Sequence, residues 1–103
     1  MKRLFITVGS NTPRLFGAGI FIMDRLAQIG IIVQDISMAE TVNDILHSYA
    51  EYIVGRMGLP YKKYSVMVIS ITIDAPADKI NALTGKLAML KGVTAKAIYA
   101  NIK

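Results

Sequence analysis

The sequence predicts an α+β fold of order βαββαβ, with two helices on one face of a four-stranded antiparallel sheet, the ferredoxin-like arrangement. Three observations carry this. Apolar residues recur at helical spacing in two separate stretches, Met38–Tyr49 and Ile80–Leu90. Residues 64–73 alternate strictly, with Val66, Val68, Ser70 and Thr72 set against Met67, Ile69, Ile71 and Ile73. Shorter β-branched runs stand before the first helical stripe, between the two stripes and after the second. At 103 residues, with 53% apolar and 18% charged residues, the chain suits one compact domain and is too apolar for a disordered one.

Residues 1–22 differ in character from the rest of the chain. Lys2-Arg3 precedes the apolar Leu4–Val8, as in a signal peptide, but Gly9–Arg14 interrupts the run with turn residues and a charge. The second apolar run, Gly17–Met23, is far below the length that crosses a bilayer. We read 1–22 as an N-terminal extension and 23–103 as the domain, with an extra edge strand over Arg3–Val8 as the alternative. The sequence places the chain in the cytoplasm and calls for no membrane contact.

The domain then reads element by element. Gln28–Val33 is apolar on both faces and β-branched, as a central strand is. Ser37-Met38-Ala39-Glu40 has the spacing of a capping box, in which Ser37 accepts from the Glu40 amide and Glu40 reaches back to Ser37. Behind it Met38, Val42, Ile45, Leu46 and Tyr49 form one helical stripe, while Glu40, Asn43, Asp44 and His47 fall on the wetter side. Glu51–Met57 predicts a second strand, and Gly58–Lys63 a hairpin-like connection. Tyr64–Ile73 is the strongest strand. Asp74-Ala75-Pro76 opens the second helix, with Pro76 near its first position and Asp78 at the positive end of its dipole. Gly92 ends that helix, and Val93–Ile102 is the last strand. A sheet covered on one face only has a second face to bury, and self-association is the expected means.

Composition excludes several chemistries. The chain has no cysteine, so disulfides, thiolate metal sites, iron–sulfur clusters and cysteine nucleophiles are absent. Its single histidine, His47, is flanked at helical spacing by Asp44 and Glu51; with no second histidine a solvated side chain outweighs a cation site. No serine sits in a nucleophile elbow, and no pair of acids is placed for acid–base work. Thr84-Gly85-Lys86 resembles the end of a phosphate loop, but it lies inside a helix and lacks the preceding glycine frame. Gly85, costly in mid-helix, points to a close helix–sheet or helix–helix contact. The sequence therefore predicts no enzyme, no cofactor and no metal.

Gly55-Arg56-Met57-Gly58 is the most distinctive segment. Two glycines around an arginine in a strand suggest a backbone approached closely, and the planar Arg56 fork suits a carboxylate or phosphate. The equally weighted reading is a bulge and turn with Arg56 pairing a neighbouring acid.

Charge argues weakly for nucleic acid. Twelve Lys and Arg against seven Asp and Glu give +5. Lys2, Arg3 and Arg14 carry three of these, so 23–103 carries only +2, spread over several elements. The Tyr61-Lys62-Lys63-Tyr64 tip interleaves aromatics with lysines, which makes a nucleic-acid-binding module the alternative function. The aromatic-glycine signature of an RNA-binding ferredoxin-like sheet is missing.

Five segments, Ile29–Val33, Leu46–Tyr49, Tyr52–Tyr61, Ser70–Pro76 and Ile80–Leu87, resemble the bacterial family of iron-only hydrogenase system regulators. The Gly-Arg-Met-Gly-x-Pro-Tyr and Leu-Thr-Gly-Lys-Leu strings are its most specific parts, and the match spans about residues 25–99. That family is similar to the ACT-like C-terminal domain of nickel-responsive repressors, echoed here by Gly85–Val93. The resemblance implies a ferredoxin-like, ACT-like regulatory domain that forms a homodimer or homotetramer through its sheet and senses a small ligand or a partner. It does not carry over nickel sensing, because the histidines and cysteine of those repressors are missing here. It does not carry over amino-acid binding either, because Gln34–Ser37 stands where such domains often have glycine. The ligand-binding residues expected at the subunit boundary are Asp35, Ser37, Gly55, Arg56, Gly58 and Lys86.

Overall fold

The computed structural model describes residues 5–8 and 24–101. The elements run β1 (Phe5–Val8), β2 (Arg25–Val33), α1 (Ala39–Ser48), β3 (Ile53–Tyr61), β4 (Val66–Ala75), α2 (Ala77–Ala88) and β5 (Val93–Tyr99). All strands join one antiparallel sheet of order β1-β3-β4-β2-β5. Strands β2 to β5 with both helices give the ferredoxin-like βαββαβ fold. Strand β1 adds a fifth strand outside β3, pairing Phe5–Val8 with Gly58–Gly55, as the edge-strand alternative has it. The rest of the segment read as an extension lies outside the described residues.

Register and alternation decide which residues form the core. Ile29 pairs with Ile71 and Ala97, and Ile31 with Ile69 and Ala95, so one face of the sheet is a continuous aliphatic surface. The helices close it with the stripes that the sequence shows. Val42, Leu46 and Tyr49 of α1 and its end are buried, as are Ile80, Leu83 and Leu87 of α2. Met38, Ile45 and Leu90 pack around them. No buried residue of this core is polar or charged, so its stability comes from apolar burial and packing rather than internal ion pairs.

Four local details differ from the sequence reading. The capping box does not form. Asp35, two residues before Ser37, caps a short 3-10 turn by accepting from the Ser37 backbone N–H at 3.0 Å and the Ser37 hydroxyl at 2.6 Å. A nearer carboxylate takes the hydrogen bonds that the Ser-x-x-Glu spacing reserves for the helix start. Second, β3 begins after a 3-10 turn at Ala50–Tyr52 and continues through Gly58, Leu59 and Pro60 to Tyr61. Pro60 pairs with Met67 of β4 near the end of that ladder, beyond the Gly55–Gly58 stretch that pairs with Phe5–Val8. The reversal therefore falls at Lys62–Tyr64, with Ser65 in the left-handed region at φ 54°. Third, Gly85 is no close-approach point, since a Cβ there would meet nothing within 4 Å among the described residues. Fourth, Pro76 stands just before α2, with an extended ψ of 145°, and β5 ends at Tyr99.

Gly92 is the glycine that the fold requires. Its φ is +73°, and its carbonyl accepts from the Gln34 and Asp35 amides at 2.7 and 3.2 Å. It thereby ties the loop after β2 to the loop before β5.

Candidate functional site

Strand β3 presents its two sets of side chains to different surroundings. Arg56 pairs with the buried Ile71 of β4, so it points to the helix side, as do Ile53 and Gly58. A guanidinium on that side meets α1, and its Nη2 donates a hydrogen bond to Asn43 Oδ1. Burial depresses the Arg56 pKa below its ordinary value, but an arginine stays charged throughout the physiological range. Helix α1 and β3 leave a cleft of about 540 Å³ between them, lined by Asn43, Asp44, Leu46, His47, Ala50, Ile53 and Arg56. Its volume falls within the range of small-molecule sites.

The six residues expected to bind ligand occupy three places. Gly55, Arg56 and Gly58 lie on β3, with Arg56 at the cleft. A Cβ at Gly58 would meet nothing within 4 Å among the described residues. Asp35 and Ser37 lie in the turn before α1 and hydrogen-bond to each other. The two bonds from Ser37, first the hydroxyl and then the backbone amide, hold the Asp35 carboxyl below the usual carboxylate range, with Lys91 adding a smaller effect. Lys86 of α2 places its Nζ 5.0 Å from the ring centroid of the buried Tyr49, a cation–π contact on the helix layer. Ile36, between Asp35 and Ser37, lines a second, shallower cleft of about 240 Å³ with Pro60, Tyr61 and Lys62.

His47 lines the larger cleft with Asp44. Among the described residues no three His, Asp or Glu side chains cluster as metal ligands. Asn43 is the cleft residue that sequence reasoning missed. Its polar position on α1 was visible, but no local signal places it against a strand residue thirteen positions later.

Among the described residues no helix packs on the opposite face of the sheet. Leu26, Ile32, Met57, Val68 and Ile98 are exposed there around a polar centre. In that centre Gln28 donates through Nε2 to Ser70 Oγ and accepts from Thr72 Oγ1 at 2.9 Å. Among the described residues no helix is long and apolar enough to cross a membrane.

Comparison with known proteins adds two findings. A family model described as "Iron-only hydrogenase system regulator, putative" (TM1266-like) matches residues 25–97. A solved structure, the uncharacterized protein TM1266 from Thermotoga maritima, superposes with a TM-score of 0.73 at 29% identity, covering 76% of this chain and 99% of that one. No curated protein matches.

Proposed function

The chain belongs to the TM1266-like family, and from that membership we propose a non-catalytic cytoplasmic domain that assembles through its bare sheet face, answers to a small ligand and regulates an iron-only hydrogenase system. The family description supports the regulatory role. The observation that carries the assembly is the uncovered face. Ile98 is 72% exposed, Ile32 and Met57 are each 42% exposed, and Leu26 and Val68 stand beside them. Five large apolar side chains on one face of one sheet form a patch of the kind that marks interaction surfaces. Gln28, Ser70 and Thr72 at its centre hydrogen-bond to one another, which lowers the cost of covering them. A second copy presenting the same face in two-fold symmetry would cover it, giving a homodimer, or a homotetramer if two such pairs join.

Sedimentation velocity tests this. The chain is expected to sediment as a dimer or tetramer, and Ile98→Lys or Ile32→Lys as a monomer with an unchanged circular dichroism spectrum. A wild-type monomer at every concentration would refute the assembly. The regulatory role is tested by deleting the gene in a host with an iron-only hydrogenase and measuring hydrogenase transcript and activity, both expected to change.

A second reading rests on the hairpin tip. Tyr64 is 67% exposed, its ring lies 5.7 Å from that of Tyr61, and Lys63 Nζ lies 5.4 Å from the Tyr64 centroid. Rings flanked by cations can stack on single-stranded bases. A mobility-shift titration at two salt concentrations separates the readings, because phosphate contacts weaken steeply with salt.

A further inference from the structure

Arg56 combines a charge, partial burial and an incomplete set of partners. It stands on the helix side of β3 beside fully buried Ile71, and its hydrogen-bond partner is the neutral Asn43. Among the described residues no carboxylate pairs with it. A cation drawn part-way from water gains most from an anion, and the guanidinium fork has donors left after Asn43 takes one. The cleft beside it is large enough for a small molecule and has an apolar wall of Leu46, Ala50 and Ile53.

The rest of the lining restricts which anion fits. Asp44 contributes a carboxylate to the rim. Residues 43–50 come from the second half of α1 and its end, where the helix dipole is negative. One guanidinium against these can hold a single negative charge and is poorly matched to a dianion. A metal ion would meet the guanidinium itself. We propose that this cleft binds a small monocarboxylate with an apolar body, its carboxylate on the Arg56 fork and its body against Leu46, Ala50 and Ile53. This deepens the reading of the chain as a ligand-responsive domain. Binding and assembly are measured by separate readouts, so either can fail without the other.

The test titrates three probes into the isotope-labelled full chain and follows amide resonances by NMR: isocaproate, its uncharged alcohol isohexanol, and inorganic phosphate. Isocaproate is expected to shift the resonances around Asn43, His47 and Arg56 saturably, while isohexanol and phosphate leave them in place. Arg56→Lys keeps the charge but loses the fork, and should weaken isocaproate binding by about tenfold or more. Asp44→Asn, an exposed helix substitution that leaves Arg56 intact, should strengthen isocaproate binding and admit phosphate. The proposal is overturned by the absence of saturable shifts with isocaproate, by equal shifts with isohexanol, or by undiminished affinity in a folded Arg56→Lys variant.

Discussion

Replacing Gly92 with alanine tests how the two loops at one end of the sheet are held together. Gly92 has φ +73°, a conformation that costs a residue with a Cβ about 1–2 kcal/mol. The added Cβ would stand 2.7 Å from Asp35 Cβ and 3.2 Å from the Asp35 amide nitrogen, where carbon atoms prefer roughly 3.5–4.0 Å. Asp35 Cβ is fixed to the backbone, so relief requires the loop after β2 to move. That movement lengthens the bonds from the Gln34 and Asp35 amides to the Gly92 carbonyl, each worth about 1 kcal/mol. Alanine also narrows the unfolded ensemble, which offsets about 0.4–1 kcal/mol. The net expectation is a loss of about 2–3 kcal/mol, read as a lower urea midpoint at constant slope. Gly85→Ala is the internal control. It sits in mid-helix with open space around its Cβ and should gain about 0.5–1 kcal/mol. A Gly92→Ala loss below about 1 kcal/mol, or a Gly85→Ala loss of similar size to it, would refute the reasoning.

Further substitutions probe other parts of the molecule. Leu83→Ala empties a fully buried position between α2 and the sheet and should cost about 2–5 kcal/mol in the same denaturation assay. Asp35→Asn should lower the melting temperature at neutral pH, because the folded carboxylate accepts two bonds from Ser37 and its pKa is depressed. Stability from a depressed carboxyl is fully present above its unfolded pKa of about 3.9 and is lost as pH falls through the lower folded value, so the gap between the two proteins should close on acidification. A gap of constant size would assign the effect to packing. Tyr99→Phe removes the hydroxyl that donates to Asn81 and leaves the ring under the Arg25 guanidinium, 4.6 Å from its centroid. The expected loss is within about 1 kcal/mol, and a larger one would show that the bond between α2 and β5 is buried more deeply than its surface position implies.

The helices and the central strands were legible because their periodicities are long and are set by burial. Each apolar stripe or alternation repeats often enough to outvote single residues, and Val42, Leu46, Ile80, Leu83 and Leu87 fall on the buried side. Local chemistry was less legible. Ser37 and Glu40 have the right spacing for a capping box, but spacing does not say that Asp35 folds back first. Gly58 and Pro60 are turn residues by composition and strand residues by position, because pairing with Ile69 and Met67 of β4 holds them in the ladder. Gly85 advertised a close contact that the packing does not contain. At the candidate site, Arg56 was conspicuous between its glycines, while Asn43 was one of several polar residues on a wet helix face. Their contact exists only once α1 lies over β3, and no sequence period encodes that.

Strand β3 joins the two surfaces on which the proposed function depends. Strand alternation sends Arg56 to the helix side and its neighbour Met57 to the bare face, so both surfaces share one stretch of backbone. That stretch is the least regular in the sheet, with its register against β4 shifting between Ile53 and Gly55. Strands β2 and β4, by contrast, pair without interruption from Arg25–Ala75 to Val33–Met67 and carry half of the buried core residues. An anion drawing Arg56 toward α1 would act on a strand that contributes no side chain to the buried core, displacing Met57 and Leu59 on the other side. Under the proposed reading, the coupling is then reciprocal: a ligand that favours one setting of β3 changes assembly, and assembly changes ligand affinity by the same factor. A site between the helices over β2 would have no such lever, because Ala27, Ile29, Ile31 and Val33 there are buried aliphatic residues with no charge for a ligand to draw.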